Sequence, residues 1–252
     1  MIRDFLVELS SRARSAISAA LAGDLEVSNK DAHGFDPVTA ADRAAEQVLR
    51  SAIEQHYPRD GIWGEEFGWT REGAERVWSL DPVDGTRALI CGLPSWSVLV
   101  GLVEDGRHVA GMIDLPALGE RLIAADGFTE RNGERVQASG CVRLAEARLA
   151  TTDPFLFAAT EREAFERVRA GVRVTRFGLD ALAYARVATG DIDLVIESGL
   201  KRHDYDALVA VVRGAGGIIG DWQGRETLTE GKVAAAATRA LYDEAVELLA
   251  GA

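Results

Sequence analysis

The sequence predicts a mixed α/β protein, an α+β first half that runs into an α/β second half. Three observations predict it. Residues 2–25 carry Phe5, Leu6, Leu9, Ala13, Ala16, Ile17, Ala20 and Leu21 at helical spacing, so an amphipathic helix opens the chain. Trp96, Val98, Val100 and Leu102 alternate as a half-buried strand over 95–103, and a turn at Gly106 returns it as a strand over 109–115. Beyond residue 148, short apolar runs alternate with helical stretches.

The remaining elements follow in order. A polar stretch with Gly and Pro over 28–37 leads into a second helix over 39–57, with Thr39 as its N-cap and Pro58 beyond its end. Apolar runs at 61–64 and 77–80 each stop at acidic residues. Residues 122–125 extend the sheet, Asn132-Gly133 signals a turn, and 136–148 reads as a connector. Strands are expected over 149–151, 172–176, 193–196 and 217–221, alternating with helices over 155–169, 179–189, 205–214 and 238–249. No repeat, low-complexity tract or flexible linker intervenes, so the halves 1–140 and 141–252 are expected to pack as one unit.

The charge balance narrows the function. Twenty-eight Lys and Arg against 40 Asp and Glu give a net charge of −12. A nucleic-acid partner needs a basic face to displace counterions, so that class is set aside. A small anionic substrate is not, because bound cations can reverse the sign of one cleft. No cationic flank precedes an apolar run at the N-terminus and no stretch is long enough to cross a bilayer, which leads to the expectation of a cytoplasmic chain without a membrane partner. Cys91 and Cys141 lie outside any CxxC spacing and are expected as buried free thiols. His33, His56, His108 and His203 show no ligand spacing; His56 and His108 are expected at the surface.

Four acidic points stand out: Asp42, Glu65-Glu66, Asp81 with Asp84, and Asp204. Taken singly, each has an ordinary reading as a helix-dipole partner, a loop, a cap or a surface charge. Asp81-Pro82-Val83-Asp84-Gly85-Thr86 is the sharpest. Pro82 biases Asp81 towards extended backbone, so the strand is expected to end there. Around that turn the two carboxylates converge with the Val83 carbonyl between them, an oxygen-only set suited to a hard cation such as Mg²⁺. Gly85-Thr86 then opens a helix or helical turn, whose free N–H groups seat phosphate.

These residues resemble the inositol monophosphatase-like family of metal-dependent phosphatases over nearly the whole chain. The resemblance rests on Val38-Thr39-Ala40-Ala41-Asp42, Trp63-Gly64-Glu65-Glu66, Asp81 to Thr86, and Asp204 running through to Ala215-Gly216-Gly217. It implies the layered α-β-α-β-α sandwich of the inositol monophosphatase/fructose-1,6-bisphosphatase type, and a homodimer. It implies two or three Mg²⁺ ions on Glu65, Asp81, the Val83 carbonyl, Asp84 and Asp204. Asp42 and Thr86, with Glu65, would activate water; the Gly85 and Thr86 amides would bind phosphate. A small phosphate monoester is the implied substrate, attacked in line with no covalent phosphoenzyme.

Within the family, Glu197-Ser-Gly-Leu-Lys-Arg-His-Asp204-Tyr205 and Arg176-Phe-Gly-Leu-Asp180, with Tyr184 following, are similar to the histidinol-phosphate phosphatase branch. His203 stands where the family's tryptophan is usual. Asp180, Glu197, Lys201, Arg202 and His203 are the implied substrate contacts, although Asp180 also reads as a helix cap. An inositol-1-phosphatase or broad sugar-phosphate phosphatase is the second reading. A non-catalytic regulator binding a phosphorylated ligand is the third, weakened because every ligand position is kept.

Overall fold

The computed structural model of the chain describes residues 1–22, 27–29, 37–228 and 231–251. In chain order these form helix α1 (Ile2–Leu21), strands β1 (Val27–Asn29) and β2 (Pro37–Thr39), helix α2 (Ala40–His56), strands β3 (Gly61–Gly64), β4 (Gly68–Thr70) and β5 (Arg76–Asp84), and helix α3 (Thr86–Ile90). Strands β6 (Ser97–Glu104), β7 (Arg107–Leu115), β8 (Glu120–Ala125), β9 (Phe128–Arg131), β10 (Glu134–Arg135) and β11 (Arg148–Thr151) follow. Then come α4 (Ala159–Arg169), β12 (Val174–Phe177), α5 (Ala181–Ala188), β13 (Leu194–Glu197), α6 (Arg202–Gly214), β14 (Ile218–Gly220), β15 (Val233–Ala236) and α7 (Arg239–Ala250).

An eight-stranded sheet runs in the order β10-β9-β8-β7-β6-β5-β3-β4, antiparallel except where β3 pairs with β5. A five-stranded sheet runs β12-β11-β13-β15-β14, with β12, β11 and β13 parallel. Helices α1 and α2 cover one face of the large sheet, α5 and α6 lie between the two sheets, and α4 and α7 cover the far face of the small one. The layers therefore run α-β-α-β-α, as the resemblance implies.

Strand alternation sorts side chains between these layers. On β6, Val98, Val100 and Leu102 enter the core under α1 and α2, while Leu99 faces α5 and α6. On β13, Leu194 and Ile196 face α4 and α7, and Val195 faces inwards. The 95–103 strand, expected to be half-buried, is thus buried on both faces, because a helix layer covers each. Helix α6 comes close to the large sheet over two glycines paired across β6 and β7, Gly101 and Gly111. A Cβ on Gly111 would stand 2.5 Å from Ala207 O, and one on Gly101 would stand 2.9 Å from the Asp206–Ala207 backbone. The paired glycines form the slot that seats this helix, which carries Asp204.

Several expected boundaries move. Strand β5 does not end at Asp81 but runs to Asp84. Helix α4 starts at Ala159 instead of 155, because Pro154 and the Asp153 side chain, which accepts the Phe155 N–H at 2.9 Å, hold a turn there. Helix α6 starts three residues earlier than expected, at Arg202. The sequence reading passed over β1, β2, β4, β9, β10 and β15; in β15 the run Val-Ala-Ala-Ala carries no alternation because both its faces are buried. Most of the polar stretch 28–37, with His33, lies outside the described residues. No described helix is long and apolar enough to cross a membrane.

Candidate active site

The site is built on an irregularity in β5. Asp81 pairs with Leu99 and Asp84 with Ser97, so Pro82 and Val83 together oppose the single residue Val98. In a regular strand, residues three apart point to opposite faces; one extra residue cancels that offset. Both carboxylates consequently reach one cavity of about 280 Å³. Val83, Gly85 and Thr86 line the same cavity. Glu65 enters from the loop between β3 and β4, Asp180 from the start of α5, Glu197 from the end of β13 and Asp204 from the first turn of α6.

Two of the acids do double duty at helix starts. Asp42 Oδ2 accepts the Thr39 N–H at 2.9 Å and the Thr39 hydroxyl at 2.6 Å, closing the capping box of α2. Its Oδ1 stands 3.4 Å from Thr86 Oγ1, whose single hydroxyl proton has Asp42 Oδ1 and the Val83 carbonyl, at 3.0 Å, as alternative acceptors. Asp204 Oδ2 likewise accepts the Lys201 N–H at 2.6 Å at the start of α6. Each of these two acids thus caps a helix start with one oxygen, while the other meets Thr86 in Asp42 and His203 in Asp204.

Asp84 is fixed by Ser97 Oγ at 3.0 Å and by the Ala181 N–H at 2.9 Å, both donating to Oδ2. Glu197 accepts the Thr152 N–H at 2.7 Å, the Thr152 hydroxyl at 2.9 Å and the Thr151 hydroxyl at 3.3 Å. Asp180 occupies the N-cap position of α5 but its side chain makes no cap hydrogen bond. Instead its carboxylate lies over Gly85, where an added Cβ would meet Asp180 Oδ2 at 3.0 Å. Its backbone sits at φ 48°, ψ −141°, a region that favours glycine, so this position is strained.

Burial, with the neighbouring charges behind it, raises Asp81, Asp84, Asp180, Glu197 and Asp204. Asp81 is pushed well above the usual carboxylate range by burial, then by the charges of Glu65, Asp84 and Asp204. Burial lifts Asp84 to about 6, against hydrogen bonds from Ala181 and Ser97. Burial and then Asp84 lift Asp180 to about 7, with Arg87 pulling the other way. Asp204 reaches about 7 and Glu197 about 8, burial leading in both. Asp42 is raised too, chiefly by burial, despite its Thr39 bonds.

Lys201, Arg202 and His203 are not brought into the cavity lining. Lys201 is the N-cap of α6 and gives its backbone N–H to Asp204. Arg202 turns to Asp206 at 2.8 Å and to the face of Trp69. His203 is buried beside Trp63, with Nε2 3.3 Å from Asp204 Oδ1. Elsewhere, His108 is half-buried against Asp206 at 2.8 Å, not at the surface as expected, while His56 is exposed. Both cysteines are free, but Cys91 is exposed, and Cys141 is only half-buried at the margin of the core under α4 and α7. Ser97, Arg87 and Leu156 act on or line the site without having been singled out from the sequence; only the position of Arg87, directly after Thr86, offered a signal.

The donor set can be weighed against Mg²⁺. Among the described residues no group of three or more His, Cys, Asp or Glu side chains forms a ready-made ion cage. Mg²⁺ does not require one, since it keeps several waters and takes one or two carboxylates plus substrate phosphate oxygens. The cavity presents oxygen donors, and a cation would relieve the mutual repulsion that raises its acids. The residues fit the ion.

Comparison with known proteins agrees. The chain is 46% identical over 211 residues to the bifunctional phosphatase IMPL2, chloroplastic, of Arabidopsis thaliana, covering 82% of this chain and 61% of that longer protein. It is 35% identical over 202 residues to a histidinol-phosphatase of Mycobacterium tuberculosis, covering 77% of this chain and 76% of the relative. A solved inositol monophosphatase from Zymomonas mobilis superposes with a TM-score of 0.88 at 40% identity, covering 98% and 96% of the two chains. Residues 1–251 match the inositol monophosphatase family as a whole. The chain belongs to the inositol monophosphatase family of metal-dependent phosphatases.

Proposed function

We propose that this chain hydrolyses L-histidinol phosphate to L-histidinol and phosphate by in-line attack of water. The observation that carries the substrate reading is Asp180, a carboxylate held over Gly85 by strained backbone, with the buried Glu197 lining the same cavity. Both carboxyls are raised by burial, and the ammonium of an amino-alcohol ester beside them would draw them into their ionised form, a pairing that a neutral polyol does not offer. The histidinol-phosphatase among the relatives points the same way.

Glu65, Asp81, Asp84, Asp204 and the Val83 carbonyl would hold two or three Mg²⁺ ions. Bound there, Mg²⁺ supplies positive charge to the ester phosphate and lowers the pKa of the attacking water. The amides of Gly85 and Thr86, where α3 begins, receive the phosphate oxygens. A water seated against Thr86 Oγ1 passes its proton through that hydroxyl to Asp42 Oδ1, 3.4 Å away. Burial raises Asp42 and so makes it a stronger base than an exposed aspartate. The Thr39 bonds to Asp42 Oδ2 hold that carboxylate in place. A second reading, inositol 1-phosphate or a broad range of sugar phosphates, is favoured by the 40% identity to the Zymomonas inositol monophosphatase.

The test is kcat/KM at fixed Mg²⁺ for L-histidinol phosphate, inositol 1-phosphate and a nucleoside monophosphate. A preference of roughly 10-fold or more for the first, about 1.4 kcal/mol of transition-state discrimination, is expected. An equal or better value for inositol 1-phosphate would move the assignment to the second reading.

A further inference from the structure

On α2, Asp42, Glu46 and Arg50 stand at i, i+4 and i+8, so they share one face. Asp42 does not line the cavity and reaches it through Thr86 Oγ1, 3.4 Å away; the other two hold the neighbouring loop. The Glu46 side chain is fully buried, and its Oε2 accepts the Glu66 N–H at 2.7 Å while Oε1 accepts the Phe67 N–H at 3.2 Å. These are consecutive N–H groups of the three-residue loop 65–67 that joins Gly64 to Gly68, its last paired residues. Two successive amides turned onto one carboxylate form a small anion nest, filled here from within the protein. Arg50 completes the clamp. Its Nε donates to Glu46 Oε1 at 2.7 Å, Nη1 to Thr70 Oγ1 at 2.9 Å, and Nη2 to the Gly68 carbonyl.

The fit leaves no slack. A Cβ on Gly64 would stand 2.0 Å from Glu46 Oε1 and 2.6 Å from Arg50 Nη2, so the pair lies directly against the backbone that leads into Glu65. From the other side, the Glu65 N–H donates to Leu80 O at 3.1 Å, next to Asp81. Glu65 is thus pinned between β5 and α2.

We infer that Glu46 and Arg50 are positioning residues that aim Glu65 into the acid cavity and so set its affinity for a divalent cation; this rests on the proposed ligand role of Glu65. A buried Glu–Arg pair contributes little net stability compared with apolar residues of similar volume. What it supplies here is a fixed loop direction, joined on one rigid helix to Asp42. Groups that orient a metal ligand typically change metal affinity about 10–100-fold when replaced.

The probe is MgCl₂ titrated calorimetrically into the whole chain, with far-UV circular dichroism confirming the fold. Arg50→Lys keeps a cation beside Glu46 but loses the fork to Gly68 and Thr70; Arg50→Met loses both. The expected result is a Mg²⁺ Kd weakened about 10-fold in Arg50→Lys and further in Arg50→Met, with the KM for the phosphate ester at saturating Mg²⁺ unchanged in Arg50→Lys. Partial rescue by lysine is the signature of positioning. If Arg50→Met does not fold, Arg50→Lys decides alone. Folded variants that bind Mg²⁺ within about 2-fold of the unsubstituted chain overturn the inference. Glu65→Gln separates the two layers: if it weakens binding and the Arg50 variants do not, only the positioning role fails, and if it leaves binding intact, the ligand reading fails first.

Discussion

Replacing Asp84 with asparagine should make the metal-free protein more stable while removing its function. Burial lifts the Asp84 carboxyl from 3.8 to about 6. A raised acid binds more protons in the folded state, so its share of stability is fully present below its unfolded pKa near 4 and is lost as pH rises through the folded value. At about 1.36 kcal/mol per pH unit, holding Asp84 ionised above pH 6 costs the metal-free fold about 3 kcal/mol. Asparagine is isosteric and keeps an oxygen for the Ser97 hydroxyl and the Ala181 N–H, although a neutral acceptor weakens each bond by some tenths of a kcal/mol. It also removes a charge that raises Asp81, Asp180 and Asp204. The net expectation at pH 8 in EDTA is a gain of about 1–3 kcal/mol, a rise in Tm of several degrees at ~2–4 °C per kcal/mol for a chain of this size. At pH 5 the gain should shrink by about half or more, because the folded acid then keeps its proton. Added Mg²⁺ should raise the Tm of the unsubstituted chain more at pH 8 than at pH 6, and leave Asp84→Asn nearly unmoved. Thermal unfolding with and without Mg²⁺ at pH 5, 6 and 8, beside phosphate release, reads all of this. A variant less stable than the parent in EDTA at pH 8, or one that turns over normally at saturating Mg²⁺, would refute the reasoning.

Thr86→Val should lower kcat about 100-fold or more by breaking the path to Asp42, while the Mg²⁺-induced rise in Tm persists; loss of that rise would make Thr86 a structural residue. Asp180→Gly should relieve the strained backbone and stabilise the protein by about 1 kcal/mol, yet reduce kcat/KM for L-histidinol phosphate more than for inositol 1-phosphate, in a steady-state comparison of the two esters. Gly111→Ala should displace α6, at a cost of about 1–3 kcal/mol in chemical denaturation, and weaken Mg²⁺ binding through Asp204, measured by calorimetry.

Much of the site was legible because its chemistry is local in the chain. Asp81 to Thr86 places two acids, a carbonyl and a helix start within six residues, with both acids ahead of the helix. The helix starts at Thr39 and Thr238 were also readable, since a cap is written in one residue and its neighbours. What escaped is what depends on another layer. Residue 98 opposing two residues of β5 decides that Asp81 and Asp84 converge, yet nothing in 81–84 announces the bulge. The alanines of β15 form a strand only because helices cover both faces of the small sheet. Arg202 carries a charge suited to phosphate, but buried Asp206, one turn along the same helix, draws it away. Nothing in the sequence marks Glu46, because its role depends on the amides of a loop twenty residues further along the chain.

The central claim is that these acids form a metal-dependent site for phosphate-ester hydrolysis. Phosphate release from L-histidinol phosphate and from inositol 1-phosphate, by protein first stripped with EDTA and then given excess Mg²⁺, tests it most directly. No release in EDTA and full turnover of at least one ester once Mg²⁺ is restored is the predicted result. Undiminished turnover by the stripped protein would contradict it.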